Sequence, residues 1–213
     1  MPQLANTVAK TAVTREYRSM IPVRLLRAIP LLALMACAPE IGVRIPVPLL
    51  PDPQSQVDQA QVVNPVKVRV GTFVDSRPNP ALVIVDGRKV MTDDNPGRAV
   101  EEGFSRYLRN AGARIAVLNA PSIEGDILDW TALVEPSFPT SNARATARIR
   151  VLMRDSKAHP IYKATFSGES TISHPMIDQT EIEKLLGQAM ASAIETAVRD
   201  DEFVRQLSKG RID

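Results

Sequence analysis

The chain has 213 residues, 44% of them apolar and 23% charged, with one cysteine and a net charge of +2. That apolar share supplies a real core and excludes a disordered chain, and a lone cysteine excludes an internal disulfide framework. The excess of basic residues is confined to the start: residues 1–36 hold five basic and one acidic residue, leaving 21 basic against 23 acidic in the remainder. The slight basicity of the whole therefore gives no reason to expect a nucleic-acid partner.

From Met20 the sequence reads MIPVRLLRAIPLLALMAC. Arg24 and Arg27 precede an apolar run, Ala28 to Ala36, that is about half the ~20 residues needed to cross a bilayer. A charged start, a short apolar run and a small residue at its end make the layout of a secretory signal peptide over residues 1–36. Counted from Met20 the segment has the usual length, which favours Met20 as the true start. Leu34-Met35-Ala36-Cys37 resembles the lipobox of bacterial lipoproteins, with Met35 where the motif more often carries a smaller residue. The expected site residues are thus Ala36 and Cys37 for cleavage and Cys37 for lipid attachment, with the membrane as partner through its acyl chains. Two or more chains hold a protein at a bilayer where one does so only marginally.

Residues 37–65 contain six prolines and four glutamines. Proline at this density removes backbone donors and fixes φ, so the stretch reads as an extended tether with a reach on the order of 80 Å. Val43, Ile45, Val47 and Leu49 alternate, and the alternative is that Gly42 to Leu50 docks along the folded part.

The folded domain is expected over 66–213. Val66, Val68, Val70 and Val74 set the pattern of a first strand ending in the turn cluster Asp75 to Pro80. Leu82–Val85, Asp86-Gly87 and Arg88–Met91 form a short hairpin. Asn95 and Pro96 open a helix whose apolar stripe runs from Ala99 to Ala111, with Glu101 and Glu102 toward its start and Gly112 as its stop. Strands follow over Arg114–Leu118 and Ile123–Glu135. Ala143 to Met153 alternates with a polar row, as does Tyr162 to Ile172, and a turn at Lys157–Pro160 joins them in an antiparallel hairpin with one face buried. Asp178 and Glu181 cap a long helix over Ile182–Val198, and Asp200 or Asp201 caps a short terminal one carrying Phe203, Val204 and Leu207. These elements predict a two-layer α/β (α+β) sandwich: a mixed or mostly antiparallel sheet of about five strands with two main helices on one face.

The arginine row Arg144, Arg148, Arg150 and Arg154 has two readings, a contact for an anion or partner and a solvated face that discourages edge pairing. His159 and His174 precede prolines in turns and have no second ligand at metal spacing, so no metal is expected. Ser167-Gly168-Glu169-Ser170 lacks the glycines of a nucleophile elbow. Asp93-Asp94 and Asp200-Asp201 sit where helices begin and read as caps rather than acid–base pairs. Asp75 can pair with Arg77 or make a turn alone, and Trp130 reads as core rather than the wall of a groove. No catalytic constellation or cofactor site is expected.

The cysteine after Leu-Met-Ala, the Asp75-Ser76-Arg77 after strand one, the helix ending in Ala111-Gly112, the long hairpin and the closing Ala193-Ile194-Glu195 to Asp201-Glu202-Phe203-Val204 together resemble the YajG family of uncharacterised bacterial lipoproteins. The resemblance implies a lipid-anchored protein of a Gram-negative envelope, at the outer membrane on its periplasmic side. It transfers a role to Cys37 alone. Two functions follow: a non-enzymatic accessory protein that binds an envelope protein or component, and a lipid-handling or ABC-transporter-auxiliary lipoprotein. A flat polar sheet over a closed core favours the first, and a continuous apolar groove favours the second.

Overall fold

The computed structural model describes Leu50 and residues 66–209. The expected signal segment, Cys37 and the expected tether other than Leu50 lie outside the described residues. Ten elements follow in chain order: β1 Lys67–Asp75, β2 Val83–Val85, β3 Arg88–Val90, α1 Pro96–Asn110, β4 Arg114–Ile115, β5 Ser122–Glu135, β6 Ser141–Arg154, β7 Pro160–His174, α2 Gln179–Arg199 and α3 Asp201–Lys209.

The seven strands form one mixed sheet. Its axis is β5, long enough for two strands to share one edge: β1 runs parallel to its first half, from Arg69 opposite Ser122 to Asp75 opposite Ile127, and β2 parallel to its second, from Val83 opposite Ala132 to Val85 opposite Val134. The other edge of β5 takes β6 antiparallel over its whole length, and β7 continues antiparallel beyond it. Strands β4 and β3 add short ribbons to β1 and β2. The sandwich is as expected; the strands number seven rather than about five because β2, β3 and β4 are only two or three residues long.

Local sequence accounts for the helix ends. The Asn95 carboxamide accepts the Gly97 amide at 2.9 Å, and Gly112 takes φ 88° just past the helix. Asp178 and Glu181 complete a capping box at the start of α2. Asp200 caps α3 by accepting the Phe203 amide at 2.8 Å. Glu101 and Glu102 lie toward the start of α1 as expected, but one turn in, since its first turn holds no acidic residue. The Glu101 carboxylate instead accepts the Phe73 amide at 3.1 Å. The β1–β5 register shifts between Val70 and Phe73, so Glu101 supplies an acceptor where the ladder is interrupted.

Helix α1 covers β1, α2 covers β5 to β7, and the two touch. Between helices and sheet lie Trp130, Phe73, Phe104, Ile123, Ile127, Ile149, Met153, Leu186 and Met190, all fully buried. Phe73 and Phe104 stack with centroids 5.0 Å apart, and Tyr162 meets Phe203 edge-on at 5.8 Å. The Trp130 indole donates to the Leu186 carbonyl at 3.0 Å, so the single tryptophan spans sheet and helix as core.

Leu50 belongs to this core. It is 4% exposed, and the Arg106 guanidinium donates to its carbonyl at 2.8 Å. A Cβ on Gly103 would stand 2.2 Å from a Leu50 methyl, so glycine inside α1 is what makes room for it. A mid-helix glycine costs about 1 kcal/mol against alanine, and here the socket offsets that cost. Leu50→Ala is expected to lower stability by about 2 kcal/mol, the low end for a buried leucine, measured by urea denaturation; an unchanged midpoint would detach Leu50 from the core.

Candidate functional site

The face of the sheet away from the helices is open. Period-two alternation puts Arg144, Arg148, Arg150 and Arg154 of β6 on that face while Ala143, Ala145, Ala147, Ile149, Val151 and Met153 are buried. The antiparallel register sets an acidic row of β5 beside them: Glu124 opposite Leu152, Asp126 opposite Arg150 and Asp129 opposite Arg148. Arg150 donates to Asp126 through Nε and a terminal nitrogen at 2.9 and 2.8 Å, and Arg154 pairs with Glu124. Arg144 reaches across to Glu169 of β7 at 2.7 Å. Asp129 is held by the Thr146 and Thr131 hydroxyls at 2.9 and 3.0 Å. Arg148 is exposed and borders Asp129 on one side and Ser167 on the other.

The face is therefore a ladder of acidic, basic and hydroxyl-bearing rows rather than a cationic stripe. Sequence reasoning saw the arginines and missed the carboxylates, although Glu124 and Asp126 show the same spacing of two. Ion pairs this exposed contribute little to stability, about 0–1 kcal/mol each. Their effect is to fix where the charges stand.

At the end of β1 the Asp75-x-Arg77 motif closes on itself. Arg77 donates to both oxygens of Asp75 at 2.8 Å and, through its remaining terminal nitrogen, to the Trp130 carbonyl at 2.9 Å. Its side chain is only 2% exposed. The Arg77 hydrogen bonds hold the Asp75 carboxyl below its ordinary 3.8, against the opposing effect of burial. Next to it, Ser76 donates to Asp126 at 3.2 Å, linking the latch to the open face.

The remaining candidates have structural partners. His159 lies in the β6–β7 turn, where Asp155 accepts the Lys157 and His159 amides at 2.8 Å each; those bonds, the His159 amide first, hold the Asp155 carboxyl low. The His174 ring approaches the Met176 carbonyl at 2.6 Å. Burial, with Asp200 accepting its hydroxyl at 2.8 Å, pushes the Tyr162 phenol above its ordinary range. Ser167 faces the open side while Gly168 faces α2. Of the paired aspartates, Asp200 is a cap; at α1 the cap is Asn95, not Asp93 or Asp94. Among the described residues no three His, Cys, Asp or Glu side chains gather as metal ligands, and no helix is long and apolar enough to cross a membrane. An apolar cleft bounded by Val66, Leu108, Ala113, Val198, Phe203 and Leu207 has a volume of about 20 Å³, room for one water and no acyl chain.

Fold and face define a class: a small α/β sandwich with a closed core beneath helices and an open, charge-laddered sheet. Residues 53–207 match the model of a family described as uncharacterized lipoprotein, and the chain belongs to this YajG family. Solved structures with a similar course include a protein from Xanthomonas campestris of a family of unknown function, 13% identical, covering 79% of this chain and 98% of its own, with a TM-score of 0.48. A minor lipoprotein from Acinetobacter baumannii is 11% identical over 68% of this chain and 94% of its own, with a TM-score of 0.40. A lipoprotein from Neisseria meningitidis, also 11% identical, covers 57% of this chain and 93% of its own, with a TM-score of 0.32. Among curated proteins no match was found.

Proposed function

We infer that the mature protein starts at Cys37, carries acyl chains there after cleavage behind Ala36, and sits on the periplasmic side of the outer membrane. It acts there as a non-enzymatic accessory protein that binds an envelope protein or component through the open sheet face, with Arg148 and its neighbours in the contact. The observation that carries this reading is the polar, charge-laddered sheet face over a buried apolar core; among the described residues the apolar cleft beside Phe203 holds about 20 Å³, too little for a lipid chain. Leu50 sharpens the geometry. With Leu50 held in the core, 13 residue steps separate it from Cys37. Even fully extended they span on the order of 45 Å, about half the reach of an undocked tether.

Intact mass spectrometry of protein purified from its own membranes, followed by lipid extraction, tests the reading. The expected mass is that of residues 37–213 plus acyl chains, with no stoichiometric extra lipid. Extra lipid at one per chain would instead support the lipid-handling alternative. Cys37→Ala is expected to abolish membrane fractionation while leaving the folded domain intact; a wild-type protein wholly soluble and unacylated would overturn the anchor.

A further inference from the structure

The sheet ends on β7, and among the described residues β7 pairs with β6 alone. Among the described residues no second strand covers this edge. From Tyr162 to His174 the register with β6 is unbroken, so no bulge turns the strand away, and after Pro160 no proline interrupts it. A long, regular edge presents unpaired amides and carbonyls, the template to which another strand adds. The side chains say the same. The core-facing residues of β6 from Ala143 to Met153 are all buried, but on β7 only Phe166 and Gly168 are, while Tyr162, Ala164, Ser170 and Ile172 stay half-exposed on that face.

The charges of β7 select the strand that fits. Apart from His174 it carries two ionisable groups at ordinary pH, Lys163 and Glu169, both exposed and both on the open-face row. In an antiparallel pairing of β7 with a second β7, residues opposite one another have numbers of constant sum. That sum must be even if open face is to meet open face. A sum of 332 puts Phe166 on the two-fold axis and sets each Lys163 opposite the other copy's Glu169. The neighbouring registers, 330 and 334, pair neither charge with its opposite. The register at 326 sets Lys163 against Lys163, and that at 338 sets Glu169 against Glu169. On the core side the same register places Ala164 opposite Gly168 and Phe166 beside Phe166, a compact small pair next to an aromatic cross-strand pair.

We propose that two copies of this chain associate through β7 in that register, continuing the sheet across a two-fold axis. A two-fold contact is self-complementary, so both Lys163–Glu169 pairs form at once. The two open faces then join into one charged surface of twice the width, and the half-exposed side chains of β7 are covered. The proposal stands independently of the anchor at Cys37.

The test is sedimentation equilibrium of the full chain in detergent at several protein-to-detergent ratios, on wild type, Lys163→Glu and Lys163→Glu combined with Glu169→Lys. Wild type is expected to be a dimer. Lys163→Glu turns both pairs repulsive and is expected to weaken the dimer about tenfold or more. The double exchange restores opposite charges and is expected to recover most of the loss, less whatever follows from removing the Arg144–Glu169 pair. Both substitutions are at exposed positions, and a far-UV circular dichroism spectrum and a single cooperative unfolding transition like those of wild type at dilutions where all three are monomeric verify that each variant is folded. A wild-type monomer at ~100 µM, which leaves Lys163 as a guard against edge pairing, would overturn the proposal. So would a dimer indifferent to Lys163→Glu, because it would use another surface or register. Amide exchange gives an independent reading: alternate β7 amides, those pointing away from β6, are expected to be protected in the dimer, and their full exposure at dimer concentrations also overturns it.

Discussion

Arg77→Ala is expected to destabilise the domain by about 4 kcal/mol, a large share of the 5–15 kcal/mol that holds a domain of this size together. The guanidinium has no solvent to fall back on, since its side chain is 2% exposed. Removing it strands the Trp130 carbonyl without this donor and leaves the Asp75 carboxylate without its partner. Arg77→Lys is expected to recover less than half of the loss, because an ammonium cannot bond both Asp75 oxygens and the carbonyl in the planar arrangement arginine uses. The latch also has a pH signature. The folded Asp75 pKa lies below its unfolded 3.8, so its contribution is fully present above about pH 4 and is lost as pH falls through the folded value. Urea midpoints for wild type and Arg77→Ala are therefore expected to converge partly below pH 4. If Arg77→Ala were as stable as wild type and lost only a binding activity, the motif would be a recognition site and not a latch.

The motif also shows where the sequence is readable. Its two residues are close in the chain and their pairing was open to inference, but the third partner, Trp130, is 53 positions away and only the fold brings it near. The same division runs through the molecule. Caps at Asn95, Asp178 and Asp200, the Asp86-Gly87 turn and the alternation of β6 and β7 depend on neighbours a few residues apart, so local patterns expose them. The sharing of one β5 edge by β1 and β2 depends on the length of β5 and on parallel pairings between distant segments, which leave no mark in any window. The acid row shows the intermediate case: Glu124 and Asp126 alternate visibly, yet their partners Arg154 and Arg150 are 30 and 24 positions on. Leu50 was legible only as one end of a segment that could dock. The signal that could have found its socket is Gly103, a costly residue inside an otherwise good helix on its buried stripe.

A second glycine has larger consequences. Gly168→Ala is expected to cost about 3 kcal/mol or more, at the upper end of what overpacking a core usually costs. Gly168 lies on the core-facing row of β7 beneath α2. A Cβ there would stand 2.1 Å from the Ala189 carbonyl oxygen and 2.5 Å from the Ala193 nitrogen. These are backbone atoms inside a helix, so no side-chain rotation relieves the contact, and α2 must withdraw by roughly an ångström or β7 must bend. Withdrawal is costly because α2 approaches this sheet through small residues on both sides: Ala189, Ala193 and Ala197 on the helix, Ala143, Ala145 and Ala147 on β6, all buried. Small residues leave no long side chains to fill the gap. The Trp130–Leu186 bond, 3.0 Å long, stretches in the same movement. Trp130 is the only tryptophan, so its fluorescence reports the displacement directly. The expected result is a red-shifted folded-state emission together with a lower urea midpoint. Gly71→Ala is the control, since its Cβ would find nothing closer than 3.5 Å and is expected to shift stability by less than about 0.5 kcal/mol. Equal behaviour of the two variants would mean that the distance between α2 and β7 is adjustable, and the close helix-on-strand approach would lose its place as the feature that seats α2.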